Sequence, residues 1–264
     1  MMTENMSFFT DGAAYERMMG RWSRSAGSVF LDWLDLPPAL RWLDVGCGTG
    51  AFTQLLLDRC APREVSAVDP SADQIAFART TSAAKAVNFR VGDAQSLPFG
   101  DDEFDAAGMA LVITFIPEPA KALAEMRRVV KPGGTIATYV WDFTNGGSPQ
   151  QPLREAIEAA GVTVVHMQGH ENSKVEALDR LFTAATLDAV ATRMIDIEVS
   201  YPDFDSYWTS QTALANTTVQ YLRTMTAADV ERVKAHLREH LPKDRTGRIF
   251  YTARASAAKG RVPA

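Results

Sequence analysis

Leu43-Asp44-Val45-Gly46-Cys47-Gly48-Thr49-Gly50 decides how the rest of the chain is read. An apolar run near 41–46 leads into it with the character of a strand, and an amphipathic window near 50–60 leaves it with the character of a helix. Glycines at 46, 48 and 50 let the backbone turn sharply and approach a ligand with no side chain between them. The helix that follows offers free N–H groups and the positive end of its dipole. Such a corner suits a carboxylate or a phosphate equally. With Ala51 it also fits the loose glycine pattern of dinucleotide sites, so alone it does not separate a hydride-transfer enzyme from other nucleotide-cofactor enzymes.

Working outward, short apolar runs near 64–69, 86–91, 104–112 and 134–141 alternate with helical windows near 71–82 and 118–130. That alternation predicts a parallel sheet. Ser71 is placed to cap the first of these helices, and Lys131-Pro132-Gly133-Gly134 closes the second. Upstream, the aromatic stretch containing Phe8, Phe9, Tyr15, Trp22, Phe30 and Trp33 reads as helical in pieces and ends at Pro37-Pro38. Downstream of a polar loop at 142–151, helices are expected near 152–160, 174–186, 204–212 and 226–240. Strands are expected near 190–200 and 246–254, the last antiparallel, with a frayed tail from Ala255. The expected organisation is one domain over 1–264: a helical lid over 1–35, a ligand-binding core over 36–141, and substrate-side helices with the last two strands over 142–264.

The 264 residues are 46% hydrophobic, enough for one well-packed core. A net charge of -5 provides no excess of Lys and Arg for a phosphate backbone, so a nucleic-acid partner is not expected. No apolar stretch approaches the roughly 18 residues of a membrane span, and the first residues lack a signal-peptide pattern. A cytoplasmic location is expected. Cys47 and Cys60 are too few for a disulfide framework; Cys60 reads as a small apolar filler at a helix end.

Asp69 ends the second apolar run and can accept hydrogen bonds from both hydroxyls of a ribose, or simply decorate the N-terminus of the next helix. Gly92-Asp93-Ala94-Gln95-Ser96-Leu97-Pro98-Phe99 follows the third run, and Phe104-Asp105 opens the fourth. In these segments, together with Val68-Asp69-Pro70-Ser71 and Ala124-Glu125-Met126-Arg127-Arg128-Val129-Val130-Lys131-Pro132-Gly133-Gly134, the chain resembles the class I S-adenosylmethionine-dependent methyltransferases. Within them it is similar to the small-molecule branch that includes quinone-biosynthesis C-methyltransferases. The resemblance covers about residues 40–141.

It implies a Rossmann-like, seven-stranded, mostly parallel sheet with helices on both faces and an antiparallel last strand. It also implies S-adenosylmethionine as cofactor, with S-adenosylhomocysteine as product. Asp44, Gly46, Cys47, Gly48 and Gly50 would hold the methionine part, Asp69 and Pro70 the ribose, Asp93 the adenine amine, and Ala94 the ring through its N–H. Leu111 would lie near the sulfonium, and Tyr15, Arg21 and Trp22 would be lid contacts, with Trp22 toward the substrate. Where many relatives carry a histidine turn, this chain has Val112-Ile113-Thr114-Phe115-Ile116-Pro117, and no general base is identified. Gln74 replaces an apolar residue, which should alter packing near the adenosine.

No metal site is expected. His236 and His240 read as a solvated helix face, while His166 and His170 lie in the segment over the carboxyl end of the sheet, where one could reach a substrate. Open α/β sheets bind ligands at that end. The acceptor, expected to be a small apolar or aromatic molecule, would meet Thr114, Phe115, Tyr139, Trp141, Tyr207 and Trp208. Aromatic rings serve cores as readily as pockets. The rival readings are a catalytically inactive cofactor-binding protein and a nicotinamide-dependent reductase.

Overall fold

The computed structural model describes residues 12–166, 168–213 and 217–264, with the side chains of the first helix from Trp22 onward. Phe8 and Phe9, and the side chains of Tyr15 and Arg21, lie outside the described residues. In chain order the elements are α1 (Gly12–Leu34), β1 (Arg41–Val45), α2 (Ala51–Cys60), β2 (Glu64–Asp69), α3 (Ala72–Ala78), β3 (Val87–Val91), β4 (Phe104–Ala110), α4 (Pro119–Val129) and β5 (Val130–Trp141). They continue with α5 (Gln151–Ala159), α6 (Val175–Ala184), β6 (Asp188–Tyr201), α7 (Phe204–Thr212), α8 (Thr217–Thr224), α9 (Ala227–His240) and β7 (Ile249–Arg261).

The strands form one sheet in the order β3-β2-β1-β4-β5-β7-β6. Strands β1 to β5 pair in parallel, and β7 runs antiparallel to both β5 and β6. This is the expected Rossmann-like sheet. The chain leaves β1 toward β2 on one side and later returns to place β4 on the other, so the order reverses between β1 and β4. A ligand crevice forms at such a reversal, outside the carboxyl ends of the strands.

Helices cover both faces because β5 is apolar on both. Ala137, Tyr139 and Trp141 belong to the cluster that takes in α1, α2 and α5, whereas Ile136 and Val140 belong to the cluster that takes in α4 and α6. The helix ends follow local chemistry. Ser71 caps α3 by accepting from the Gln74 N–H at 3.3 Å, and Thr226 and Asp229 form a reciprocal capping box on α9. Among the described residues, no helix is long and apolar enough to cross a membrane.

Several boundaries differ from the sequence reading. The helix read over 71–82 stops at Ala78 and is followed by a 3-10 turn, Ser82–Lys85. Strand β5 begins at Val130, because the Lys131–Gly134 segment bulges between the Phe104↔Val130 and Ala106↔Thr135 pairs. Lys131 Nζ holds that bulge to Asp105 Oδ1 at 2.6 Å. Helix α8 was not expected. The largest correction is at the end: Ala255 onward does not fray but forms the half of β7 that pairs with β5, from Trp141↔Ala255 to Thr135↔Arg261. Ala255, Ala257 and Ala258 are fully buried there, so small side chains let the covering helices approach a strand flanked on both sides.

Two outcomes are expected. Truncation before Ala255 removes every β5–β7 pair and should abolish the cooperative melt followed by circular dichroism. Ala257→Leu should cost about 1 to 3 kcal/mol by overpacking and lower Tm by several degrees.

Candidate functional site

The glycine corner is stitched to the neighbouring strand. Gly46 and Cys47 both donate their N–H groups to the Val68 carbonyl, at 2.7 and 3.0 Å. Gly46, Gly48 and Gly50 have φ values of 76, 53 and 91°, the left-handed region that glycine enters freely. At Gly46 the need for glycine is also steric, since a Cβ would lie 2.6 Å from the Val112 methyls. At Gly48 a Cβ would meet nothing within 4 Å, so that backbone faces open space.

Two carboxylates flank the corner. Asp69 accepts from the Gly48 N–H and from the Ser71 N–H, each at 2.9 Å, and burial raises its pKa. Asp44 is fully buried, and its Oδ2 accepts from Thr53 Oγ1 at 2.5 Å. Among the described residues its Oδ1 has no hydrogen-bond partner, and neither does the buried Oγ1 of Thr49 in the glycine corner. Burial first, with Asp69 adding to it, pushes the Asp44 carboxyl up to about 7 against the hydrogen bond from Thr53. Burial and the same two carboxylates push the Cys47 thiol up, so it is not a ready nucleophile.

Across the reversal point, Leu111 follows β4 with φ 63°, costing on the order of 1 to 3 kcal/mol for a residue with a side chain. Its N–H donates to the Tyr139 carbonyl at 2.7 Å, which fixes the turn. Val112 then packs on Gly46, so the loops after β1 and β4 share a wall. On the β3 side, Asp93 is exposed and accepts from the Gln95 N–H at 2.8 Å, while Ala94 is buried. Pro70 is exposed just beyond Asp69. Gln74 lies buried on α3.

These residues fit an adenosyl sulfonium on structural grounds. The corner has open backbone at Gly48, an orphaned buried carboxylate oxygen suited to a cationic amine, and a second carboxylate at the end of β2, where ribose hydroxyls need acceptors.

The residues expected at the acceptor pocket do not converge. Tyr139 sits inside the core against Phe30, with ring centroids 4.9 Å apart, and donates its hydroxyl to the Ser23 carbonyl. Trp141 is buried in the same cluster. Tyr207 is fully buried with its ring edge on Tyr201, and Trp208 packs on Phe204 under the Lys234 ammonium. Trp22 is buried with its ring edge against Tyr201. Only Thr114, buried, and Phe115, exposed, lie on the 3-10 turn beyond Leu111. The space at the carboxyl end of β5 is lined instead by Phe143, Gln150, Arg154, Val164, His166 and His170, among others. Of these only the two histidines drew notice in the sequence. Thr53 was also missed, although its place in the first turn of α2 put it within reach of Asp44.

Residues 43–138 match the profile of a methyltransferase domain. The chain is 34% identical over 143 residues to a malonyl-[acyl-carrier protein] O-methyltransferase of Pectobacterium atrosepticum, covering 52% of this chain and 55% of that one. It is 31% identical over 156 residues to a ubiquinone/menaquinone biosynthesis C-methyltransferase of Dinoroseobacter shibae, covering 58% and 61%. The chain spans about half the length of the curated relatives it matches. Among solved structures, the fold is similar to a Haemonchus contortus phosphoethanolamine N-methyltransferase bound to S-adenosylhomocysteine. That match has a TM-score of 0.58 and 14% identity, over 95% of this chain and 57% of the other.

The buried carboxyl leaves a measurable trace. Free aspartate ionises near 3.8 and Asp44 near 7, so between these values the unfolded chain holds fewer protons and unfolding free energy falls as pH rises. Asp44→Asn should flatten that slope, which amounts to roughly 3 to 4 kcal/mol across the window, in denaturant titrations at pH 4.5 and 7.5.

Proposed function

We propose that this chain, whose residues 43–138 match a methyltransferase domain, uses S-adenosylmethionine and transfers its methyl group to a small, apolar or aromatic molecule in the cytoplasm. The observation that carries this reading is the meeting of the open Gly48 backbone, the Asp69 carboxylate and the orphaned Asp44 oxygen at the point where the strand order reverses.

In this reading Asp69 takes the ribose hydroxyls while the Gly48 N–H keeps it aimed, and exposed Pro70 sets the direction of the chain after it. Asp93 accepts from the adenine amine, and the N–H of Ala94 faces the ring. The corner at Gly46, Cys47, Gly48 and Gly50 cradles the methionine part, with Asp44 compensating its ammonium. Leu111 forms the wall at the reacting centre, and Tyr15 and Arg21 of α1 are the lid contacts. When bound, the cofactor supplies a methyl carbon already activated by a positive sulfur. The protein then has to hold the acceptor atom in line and exclude water, which asks for shape and rigidity more than for acid catalysis. The strained, hydrogen-bonded Leu111 and the Val112–Gly46 contact provide that rigidity. In the same reading Thr114 and Phe115, on the 3-10 turn that follows, are the residues that would meet the acceptor.

Calorimetric titration tests the reading. S-adenosylhomocysteine should bind and NADH should not, and Asp69→Ala should weaken the nucleoside by about 1.5 to 3 kcal/mol, roughly 10- to 150-fold in Kd. Tight NADH binding with no response to S-adenosylhomocysteine would point to a reductase instead. Cofactor binding without transfer to any phenol, quinone or fatty acid would point to a binding protein.

A further inference from the structure

A cavity of about 110 Å³ opens at the carboxyl end of β5, walled by the loop after that strand, by α5 and by the segment before α6. A site of roughly 150 Å³ accepts benzene, so this one suits part or all of a single small ring. One of its walls rests on the turn beyond Leu111: Gly169, next to the lining His170, packs there so closely that a Cβ would collide with the Thr114 carbonyl oxygen.

The chemistry of its walls is one-sided. Phe143, Val164 and Val165 give apolar surface, Arg154, His166 and His170 give basic nitrogen, and neutral hydroxyls and amides complete it. No carboxylate is among the described residues that line it. Arg154 is held in place by donating to the Val164 carbonyl at 2.5 Å and by Glu158 at 3.2 Å. His170 is held by Glu171, with Nε2 to Oε1 at 3.1 Å, and its ring stacks on that of His166 at 4.4 Å between centroids.

The charged and titratable groups facing His166 are Arg154 and Glu158 from α5 and His170 and Glu171 from the turn before α6. Partial burial, then the Arg154 guanidinium and the second imidazole, hold the His166 pKa below the usual histidine value. Its ring stands at the exposed mouth of a donor-rich pocket.

We propose that this cavity is the acceptor site, that it takes a ring-sized molecule bearing an acidic hydroxyl, and that His166 is the base that receives the hydroxyl proton. The proposal rests on the methyltransferase reading above. The acceptor oxygen forms its new bond to the methyl carbon with its own electron pair. The carbon–sulfur bond breaks with its pair remaining on sulfur, which becomes a neutral thioether. The hydroxyl proton passes to His166, becoming imidazolium, and from there to solvent at the exposed mouth. Arg154 stabilises the developing phenolate and disfavours retention of the proton on His166.

The test compares phenol with 4-nitrophenol, which is largely ionised at pH 8, in wild type and His166→Gln. Transfer to phenol should fall about 100-fold or more in the variant, with loss of the acidic limb of its pH profile, while transfer to 4-nitrophenol stays within a few-fold. Equal losses with both acceptors, or no loss with phenol, would overturn the role of His166. Unchanged S-adenosylhomocysteine affinity in the variant checks its fold. Independently of any variant, wild-type protein saturated with S-adenosylhomocysteine should bind both phenols. If it binds the nucleoside but neither phenol, this proposal fails and the methyltransferase reading stands. If it does not bind the nucleoside, both fail.

Discussion

One carbonyl oxygen, that of Val68, receives the N–H groups of both Gly46 and Cys47, and the rest of the site hangs on that shared acceptor. It ties the corner after β1 to the end of β2, which brings the Gly48 amide within 2.9 Å of the Asp69 carboxylate one residue further along. Because Val112 fills the space where a Gly46 side chain would stand, the loop after β4 is locked to the same corner. Three loops from three strands are thus tied to one another by direct contacts, which fixes the walls of the crevice at the strand reversal.

The electrostatics follow from that closeness. Asp44 and Asp69 stand in one poorly solvated region: burial makes each harder to ionise, and the Asp69 charge adds to the effect at Asp44. Such a pair is unfavourable as two anions and becomes favourable once a cation enters between them. A ligand bearing an ammonium and a sulfonium meets that requirement better than a pyrophosphate, whose charge would add to the repulsion. The same glycine pattern that leaves dinucleotide and sulfonium cofactors undistinguished in sequence therefore carries a distinction in its surroundings.

Legibility in the sequence tracked how local the cause was. Strands β1 to β5 announced themselves through apolar runs and glycine or proline stops, and Ser71 and Thr226 announced their helices through capping chemistry. The second half of β7 did not, because Ala255, Ser256, Ala257 and Ala258 carry no strand preference; only the helices packed over them make small size a requirement. The rings of Tyr139, Trp141 and Tyr207 were read toward a pocket and lie in the core, since a ring's apolar area says nothing about which kind of cavity it fills. Arg154 escaped notice for the opposite reason. It looks like a solvated helix residue until Val164 accepts its hydrogen bond and His166 lines the same cavity.

The placement of β7 between β5 and β6 also orders events in time. Among the described residues β6 has no sheet partner but β7, whose residues follow it by some fifty positions. During synthesis, β6 and the helices packed on it must wait as an unpaired ribbon until Ile249–Arg261 has emerged, even though β1 to β5 can assemble earlier. The edge of the sheet beyond β5 is therefore the last part of the molecule to be completed, although it was partly synthesised well before.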